Sequence, residues 1–201
     1  MNHNELCEVA KKWLLRVNSQ RGHACNFALS ECRSGWGGEI PDAIGYRSVE
    51  NKVTETVVVE VKVSRSDFLA DAKKAHRADG QGMGMYRYFM CPEGMIDPKE
   101  VPSRWGLLWV NSRGHVKPML GPVALSNNCG TFAAAAEPWK HQHDTEREMW
   151  LLVRVMGRIN DPDKMKKTLN DSSRENSRLK DKVEAQSNEI ERLKNKLYGR
   201  N

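Results

Sequence analysis

Hydrophobic residues near the start of the chain recur at the spacing of an amphipathic helix. In NELCEVAKKWLLRV they fall at i, i+3, i+4 and i+7, from Leu6 to Val17, and Asn4 is placed to cap the helix. The next segments alternate with the period of two that is typical of strands, and they read HACNFALSECR, DAIGYRS and TVVVEVKVS. The pattern therefore predicts one helix followed by three strands.

The helical period returns immediately after the third strand. SRSDFLADAKKAHRA is predicted to be a helix capped by Ser64 or Ser66, and it precedes a strand YRYFMCP and a hairpin that turns at residues 111–114. A helix between two groups of strands implies a crossover and at least one parallel pair. We therefore expect residues 1–120 to form one α/β domain with the order helix, three strands, helix, strand and hairpin.

The next segment has no sustained period. Residues 121–143 are expected to be a loop or linker. Residues 144–160 are expected to form an amphipathic helix, because Met149, Leu152, Val153 and Met156 share one apolar face, and Pro162 follows its end.

The last forty residues, 162–201, are expected to form a coiled-coil helix, because residues 165–197 keep a seven-residue register. The a positions are Leu169, Asn176, Val183, Ile190 and Leu197, and the d positions are Met165, Ser172, Leu179, Gln186 and Leu193. Valine and isoleucine at a with leucine at d favour a parallel two-stranded coiled coil, and one asparagine at a fixes register. We expect this segment to make the protein a homodimer, although a solvated single helix is the alternative.

Composition narrows the classes of protein. The 201 residues carry a net charge of +6, but residues 162–201 hold 11 Lys and Arg against 7 Asp and Glu, and the rest of the chain holds 21 against 19. Bulk charge therefore does not make the N-terminal domain a DNA-binding domain.

No apolar run approaches the roughly 20 residues of a membrane span, and MNHNELCEVA is unlike a signal peptide, so a cytoplasmic protein with no membrane partner is expected.

The cysteines favour the same interpretation. The five cysteines are scattered and include no CxxC pair, so we expect buried thiols rather than disulfides or a zinc site.

Charged residues interrupt the valine-rich strand VVVEVKV. Glu60 and Lys62 share one face of it, and Asp42 begins the preceding strand, which a polar turn connects to this one. Antiparallel pairing can bring Asp42 beside Glu60, and two such carboxylates with the Val61 carbonyl oxygen suit Mg²⁺ or Mn²⁺. Lys62 can then orient an attacking water and stabilise charge on a phosphate. This set predicts phosphodiester hydrolysis.

The same residues carry a family resemblance. Pro41-Asp42 followed by Glu60-Val61-Lys62 resembles the PD-(D/E)XK nuclease superfamily, and EVKVSRSDFLADAKKAHRA with YRYFMCP is closer to the MmcB-like DNA-repair proteins and related phage proteins. The resemblance covers about residues 5–120. It implies a restriction-endonuclease-like core, with Asp42 and Glu60 as metal ligands and Lys62 as the catalytic lysine. Many members add a further acidic residue, for which Glu31 is the candidate and Glu8 the competitor.

Nucleic-acid contacts are expected around the second helix. Its N-terminus can receive a phosphate, and basic side chains near it form the candidate patch. The candidates are Ser64, Arg65, Lys73, Lys74, Arg77 and Arg87. A plain solvated helix face is the alternative.

Two functions of different classes follow from the sequence. The first is a Mg²⁺-dependent deoxyribonuclease acting in DNA repair, recombination or phage DNA processing. The alternative is a non-catalytic adaptor that uses the nuclease fold to bind nucleic acid or a host protein. The Asp42, Glu60 and Lys62 set favours the nuclease, because a scaffold needs no such charges.

Overall fold

The computed structural model describes residues 1–30, 41–50, 52–71, 82–126, 129–159 and 161–199. These form two compact units, Met1–Arg154 and Val155–Asn201. The helices are α1 (His3–Leu15), α2 (Arg65–Asp71), α3 (Pro122–Leu125), α4 (Cys129–Ala136), α5 (Thr145–Ile159) and α6 (Pro162–Tyr198). The strands are β1 (Phe27–Ser30), β2 (Ala43–Val49), β3 (Lys52–Val61), β4 (Tyr86–Pro92), β5 (Trp105–Val110) and β6 (Val116–Leu120), and short 3-10 turns lie at Asn18–Gln20, Pro98–Glu100 and Glu137–Trp139.

The six strands form one mixed sheet in the order β1-β2-β3-β4-β5-β6. The first three are antiparallel neighbours, β3 pairs with β4 and β4 with β5 in parallel, and β5 and β6 form an antiparallel hairpin. The predicted α/β class, the crossover and the hairpin are therefore confirmed. β6 is an edge strand, and it contains Lys117 and Pro118.

One face of the sheet packs on α1. The helix buries Leu6, Ala10, Trp13 and Leu14, and the facing strands contribute alternate residues, among them Val57, Val59, Val61, Tyr88 and Met90. The apolar spacing of the sequence thus matches the buried side of the helix. Asn2 caps the helix in a capping box with Glu5, two residues before the predicted cap.

The opposite face is divided between two helices. Phe68 of α2 packs edge-on against Phe89, which stacks on Trp105 at a ring distance of 4.5 Å. Leu151 of α5 packs in a separate cluster with Ile44 and other side chains. The sheet is therefore covered on both sides, which is the usual environment of parallel strands.

The expectation of a linker at residues 121–143 is wrong for the described part of that segment. It contains α3 and α4, and Val123, Phe132 and Ala136 are buried in the core with α1. An alanine-rich helix shows little periodicity because alanine serves on both the buried and the exposed side. The sequence pattern therefore missed it.

The predicted helix at 144–160 is present as α5, but most of its predicted inner face is exposed. Met149 is 60% exposed, Val153 63% and Met156 48%, whereas Leu151 is 1% exposed. The buried side is set by Glu148, whose carboxylate accepts hydrogen bonds from the Thr56 hydroxyl and the Gly84 N–H. Hydrophobic spacing alone selected a side rotated by roughly one residue, about 100°, and only Leu152 of the predicted set packs against the core.

The predicted C-terminal helix is present as α6 and covers 37 residues. No residue of α6 is buried, and its hydrophobic a and d side chains are between 47% and 72% exposed. Asp161 caps it, and Pro162 is its first residue. The homodimer stays a prediction.

Within the described residues, no helix combines the length and the apolar character that a membrane crossing requires. In the same part of the chain, Cys7, Cys25 and Cys91 are buried thiols outside any disulfide. The expectation of buried thiols is confirmed for these three.

Tyr88 requires two glycines on neighbouring segments. A Cβ atom at Gly106 would lie 2.1 Å from Tyr88 ring carbons, and one at Gly121 would lie 2.6 Å from the ring. The Tyr88 hydroxyl lies 2.7 Å from Nε2 of the fully buried His23. The ring therefore has little room to move away.

Gly106→Ala is accordingly expected to lower the free energy of unfolding by about 1–3 kcal/mol, the usual cost of overpacking. Urea denaturation of the two proteins measures it. Gly157→Ala on α5 is the matched control, because a Cβ there meets nothing within 4 Å and should stabilise the helix slightly. Equal stability of Gly106→Ala and wild type would contradict the packing described here.

Candidate active site

The pairing of β2 with β3 brings Asp42 to the end of β3. Ala43 is opposite Val59 in the antiparallel register, so the preceding residue, Asp42, adjoins Glu60. The Asp42 carboxylate accepts a hydrogen bond of 2.7 Å from the Val61 N–H through Oδ2. The predicted approach of Asp42 to the Glu-x-Lys strand is therefore present.

Glu60 and Lys62 are both buried at this strand end, with 4% and 2% exposure. Lys62 Nζ lies 3.9 Å from Glu60 Oε2 and 3.8 Å from Oδ1 of Asp67, which is on α2. The neighbouring Val57, Val59 and Val61 point to the α1 side, so the two charges share the other face, as the alternation predicts. Asp67 is a member of this group that sequence reasoning did not assign to Lys62.

The electrostatics of the pair of carboxylates favour a cation. Burial, and next the negative charge of Glu60, raise the pKa of Asp42 to about 6 from its ordinary value of 3.8. The hydrogen bond from Val61 and the nearby His3 and Lys62 act in the opposite direction and do not cancel the rise. A positive ion between the carboxylates would remove this penalty.

α1 contributes two side chains that sequence reasoning missed. His3 Nε2 lies 3.4 Å from Asp42 Oδ1. One ligand atom from each of His3, Cys7 and Asp42 lies within 4.8 Å of the others. The available signal was the four-residue spacing of His3 and Cys7, which places both on one side of a helix that begins at His3, one residue before the predicted cap Asn4.

The further acidic residue, for which Glu31 is the candidate, stays a prediction. Glu31 lies outside the described residues. The Glu8 carboxylate accepts hydrogen bonds from Lys11 Nζ at 2.6 Å and from the Ser30 hydroxyl at 3.3 Å. The α1 residues that reach Asp42 are therefore His3 and Cys7.

Two predicted nucleic-acid contacts already have protein partners. Arg65 is half-exposed, donates to the Met95 carbonyl, and forms a two-pronged ion pair with Glu100. Its hydrogen bonds lower the pKa of Glu100 to about 2. The Ser64 hydroxyl accepts from the Asp67 N–H and caps α2.

The prediction that Arg87 contacts nucleic acid is wrong. It is 2% exposed and donates to the backbone carbonyls of Gly82, Gly84 and Gln142, so it lies inside the protein rather than on a DNA-facing surface. The other three candidates, Lys73, Lys74 and Arg77, lie outside the described residues.

The histidines of the HQH segment have structural contacts, although we expected linker residues. His141 is 6% exposed, and its Nε2 lies 3.1 Å from the Arg104 carbonyl. His143 Nε2 lies 3.7 Å from Glu148 Oε2. His141 thus ties the segment before α5 to the Arg104 backbone, and His143 lies against α5 itself.

Comparison with known proteins finds a similar solved structure but no family. No family model and no curated protein matches the chain. A solved structure, the SPO1766 protein of unknown function from Silicibacter pomeroyi, is similar with 19% sequence identity and a TM-score of 0.42. The match covers 68% of this chain and 81% of that one.

The raised pKa of Asp42 predicts a pH-dependent cost. A folded-state pKa of about 6 against 3.8 means that the folded state binds more protons between about pH 4 and 6, so this group lowers stability as pH rises through that window. Asp42→Asn keeps an oxygen acceptor for Val61 and removes the charge. In EDTA it is expected to be up to about 3 kcal/mol more stable than wild type at pH 8, and similar near pH 3.5.

Urea unfolding across that pH range measures the difference. Glu93→Gln is the control, because Glu93 is an exposed carboxylate directly after β4, and the variant should follow wild type. If Asp42→Asn also follows wild type, then burial and the charge of Glu60 do not raise the pKa of Asp42 as described here.

Proposed function

We propose that the protein is a metal-dependent nuclease that hydrolyses DNA phosphodiester bonds, in repair, recombination or processing of phage DNA. The observation that supports it is the meeting of Asp42, Glu60 and Lys62 at one end of β3. Burial, and next the negative charge of Glu60, raise the pKa of Asp42 to about 6, and Lys62 Nζ lies 3.9 Å from Glu60 Oε2. The PD-(D/E)XK resemblance of the sequence agrees with this chemistry.

The residues fit Mg²⁺ or Mn²⁺. Asp42 and Glu60 offer carboxylate oxygens and the Val61 carbonyl offers a third, which is the oxygen-only set that such ions prefer. When bound, the ion supplies Lewis acidity and positive charge beside the scissile phosphate. The hydrogen bond from Val61 to Asp42 orients the carboxylate before any ion arrives.

Lys62 serves in this proposal as the catalytic lysine. Its side chain is buried with Glu60 and reaches toward the 43%-exposed Asp67. From there its Nζ can donate to an attacking water or to a phosphate oxygen as negative charge develops. Asp67 is a positioning residue, because its carboxylate holds Nζ from the side of α2.

We further propose that α6 makes the protein a dimer. An isolated helix of this length with a row of exposed leucine, valine and isoleucine side chains gains stability when a second copy covers that row. A parallel coiled coil would give each particle two nuclease domains.

A protein-binding adaptor is the second candidate. One observation favours it: Met149 and Val153 of α5 are both more than half exposed, next to the 42%-exposed Trp150. A host protein could cover this apolar side of the helix. Calorimetric titration with Mn²⁺ separates the candidates, since an adaptor does not require binding that depends on Asp42 and Glu60.

The nuclease proposal is tested with a digestion panel of linear, circular, single-stranded and branched DNA. We expect cleavage with Mg²⁺ or Mn²⁺, none in EDTA, and a loss of at least 100-fold in Asp42→Ala and in Lys62→Ala, the scale expected for groups that stabilise the transition state. Lys52→Ala is the control, because it lies at the exposed, opposite end of β3 and should cut like wild type. Wild-type cleavage by purified Asp42→Ala would refute the assignment.

The dimer is tested by sedimentation equilibrium of the full-length chain. Wild type should sediment as a dimer and Leu193→Asp, which places a charge at a d position, as a monomer. Asn195→Asp makes the same new side chain two residues away, on the outer side of the heptad, and should remain dimeric. A monomeric wild-type protein at micromolar concentration contradicts the coiled coil.

A further inference from the structure

The first turn of α1 points a nitrogen and a sulfur ligand at Asp42. The capping box of Asn2 and Glu5 fixes where the helix begins, and this sets His3 and Cys7 one turn apart on one side. Their ligand atoms and an Asp42 oxygen lie within 4.8 Å of one another. We propose that His3, Cys7 and Asp42 form a site for a thiophilic divalent ion such as Zn²⁺, distinct in ligand chemistry from the all-oxygen set of Asp42, Glu60 and Val61.

The ligand types decide the class of ion. Imidazole and thiolate ligands select Zn²⁺ and its neighbours among the transition metals, whereas Mg²⁺ takes oxygen ligands and keeps its waters. Three protein ligands with a fourth position left open to water is the pattern of reactive rather than purely structural zinc sites.

The distances permit the site with a small adjustment. Ligand atoms around tetrahedral zinc lie roughly 3–4 Å apart, because the bonds are about 2.0–2.3 Å long. His3 Nε2 already lies 3.4 Å from Asp42 Oδ1, and because the His3 side chain is 40% exposed its ring can adjust without displacing the core. Cys7 is 2% exposed, and its position is fixed by α1.

Asp42 can serve this site without losing its hydrogen bond. Oδ2 accepts from the Val61 N–H at 2.7 Å, and Oδ1 is the oxygen 3.4 Å from His3. The backbone hydrogen bond thus orients the carboxylate so that its other oxygen faces the helix. Metal-ligating carboxylates are commonly oriented by hydrogen bonds of this kind. Glu60 has no part in the site, so the proposal does not depend on nuclease activity.

Cobalt spectroscopy tests the site in the full-length, untagged and reduced protein. Co²⁺ is added as a probe for Zn²⁺, since a cobalt–thiolate bond gives an intense charge-transfer absorption in the near ultraviolet. We expect this absorption with one Co²⁺ per chain, and its displacement by Zn²⁺. Cys7→Ser should abolish it, and His3→Ala, a change at an exposed position that leaves the core intact, should weaken Co²⁺ binding at least 10-fold.

The controls separate this site from other thiols and from the nuclease proposal. Cys91→Ser removes another buried thiol and should retain the absorption, as should Glu60→Gln. An absorption that survives Cys7→Ser, unchanged binding in His3→Ala, or no cobalt–thiolate signal in wild type would each overturn the site. Failure of DNA cleavage with an intact cobalt spectrum would refute the nuclease and leave this site standing.

Discussion

The hydrogen bond from the Val61 N–H to Asp42 is the contact on which the candidate site depends. Asp42 lies just before β2, where strand pairing alone does not fix a side chain, and this bond holds its carboxylate against the end of β3. The other groups of the site lie around this carboxylate. Glu60 lies beside it, Lys62 follows on the same face, and His3 approaches from the helix on the far side of the sheet.

Burial of Glu60 and Lys62, which are 4% and 2% exposed, costs stability. Glu60 and Lys62 are at the last residues of β3 and immediately beyond it, where the strand leaves the sheet and α2 begins. Their mutual approach and the nearby Asp67 supply partial compensation. Asp42 keeps a raised pKa nonetheless, and such residual strain is typical of groups selected for chemistry rather than for stability.

The sequence was most informative where neighbours in the chain decide the structure. The alternation of β3 put Glu60 and Lys62 on one face, and the helix after it required the parallel β3–β4 pair. It failed where distant backbone atoms decide. Arg87 can be buried because the carbonyls of Gly82, Gly84 and Gln142 accept its hydrogen bonds, and no local pattern reveals such acceptors. The four-residue spacing of His3 and Cys7 was visible, but only the folded chain brings them to Asp42.

The outermost strand, β6, has a consequence for how copies of the protein can meet. Pro118 has no amide hydrogen to give to an incoming strand, and the adjacent Lys117 is exposed and would place a charge against it. Growth of the sheet from molecule to molecule, the usual route to amyloid-like fibres, is therefore obstructed on this side. Concentrated solutions of the protein should be protected from that form of aggregation even while the helices remain free to associate.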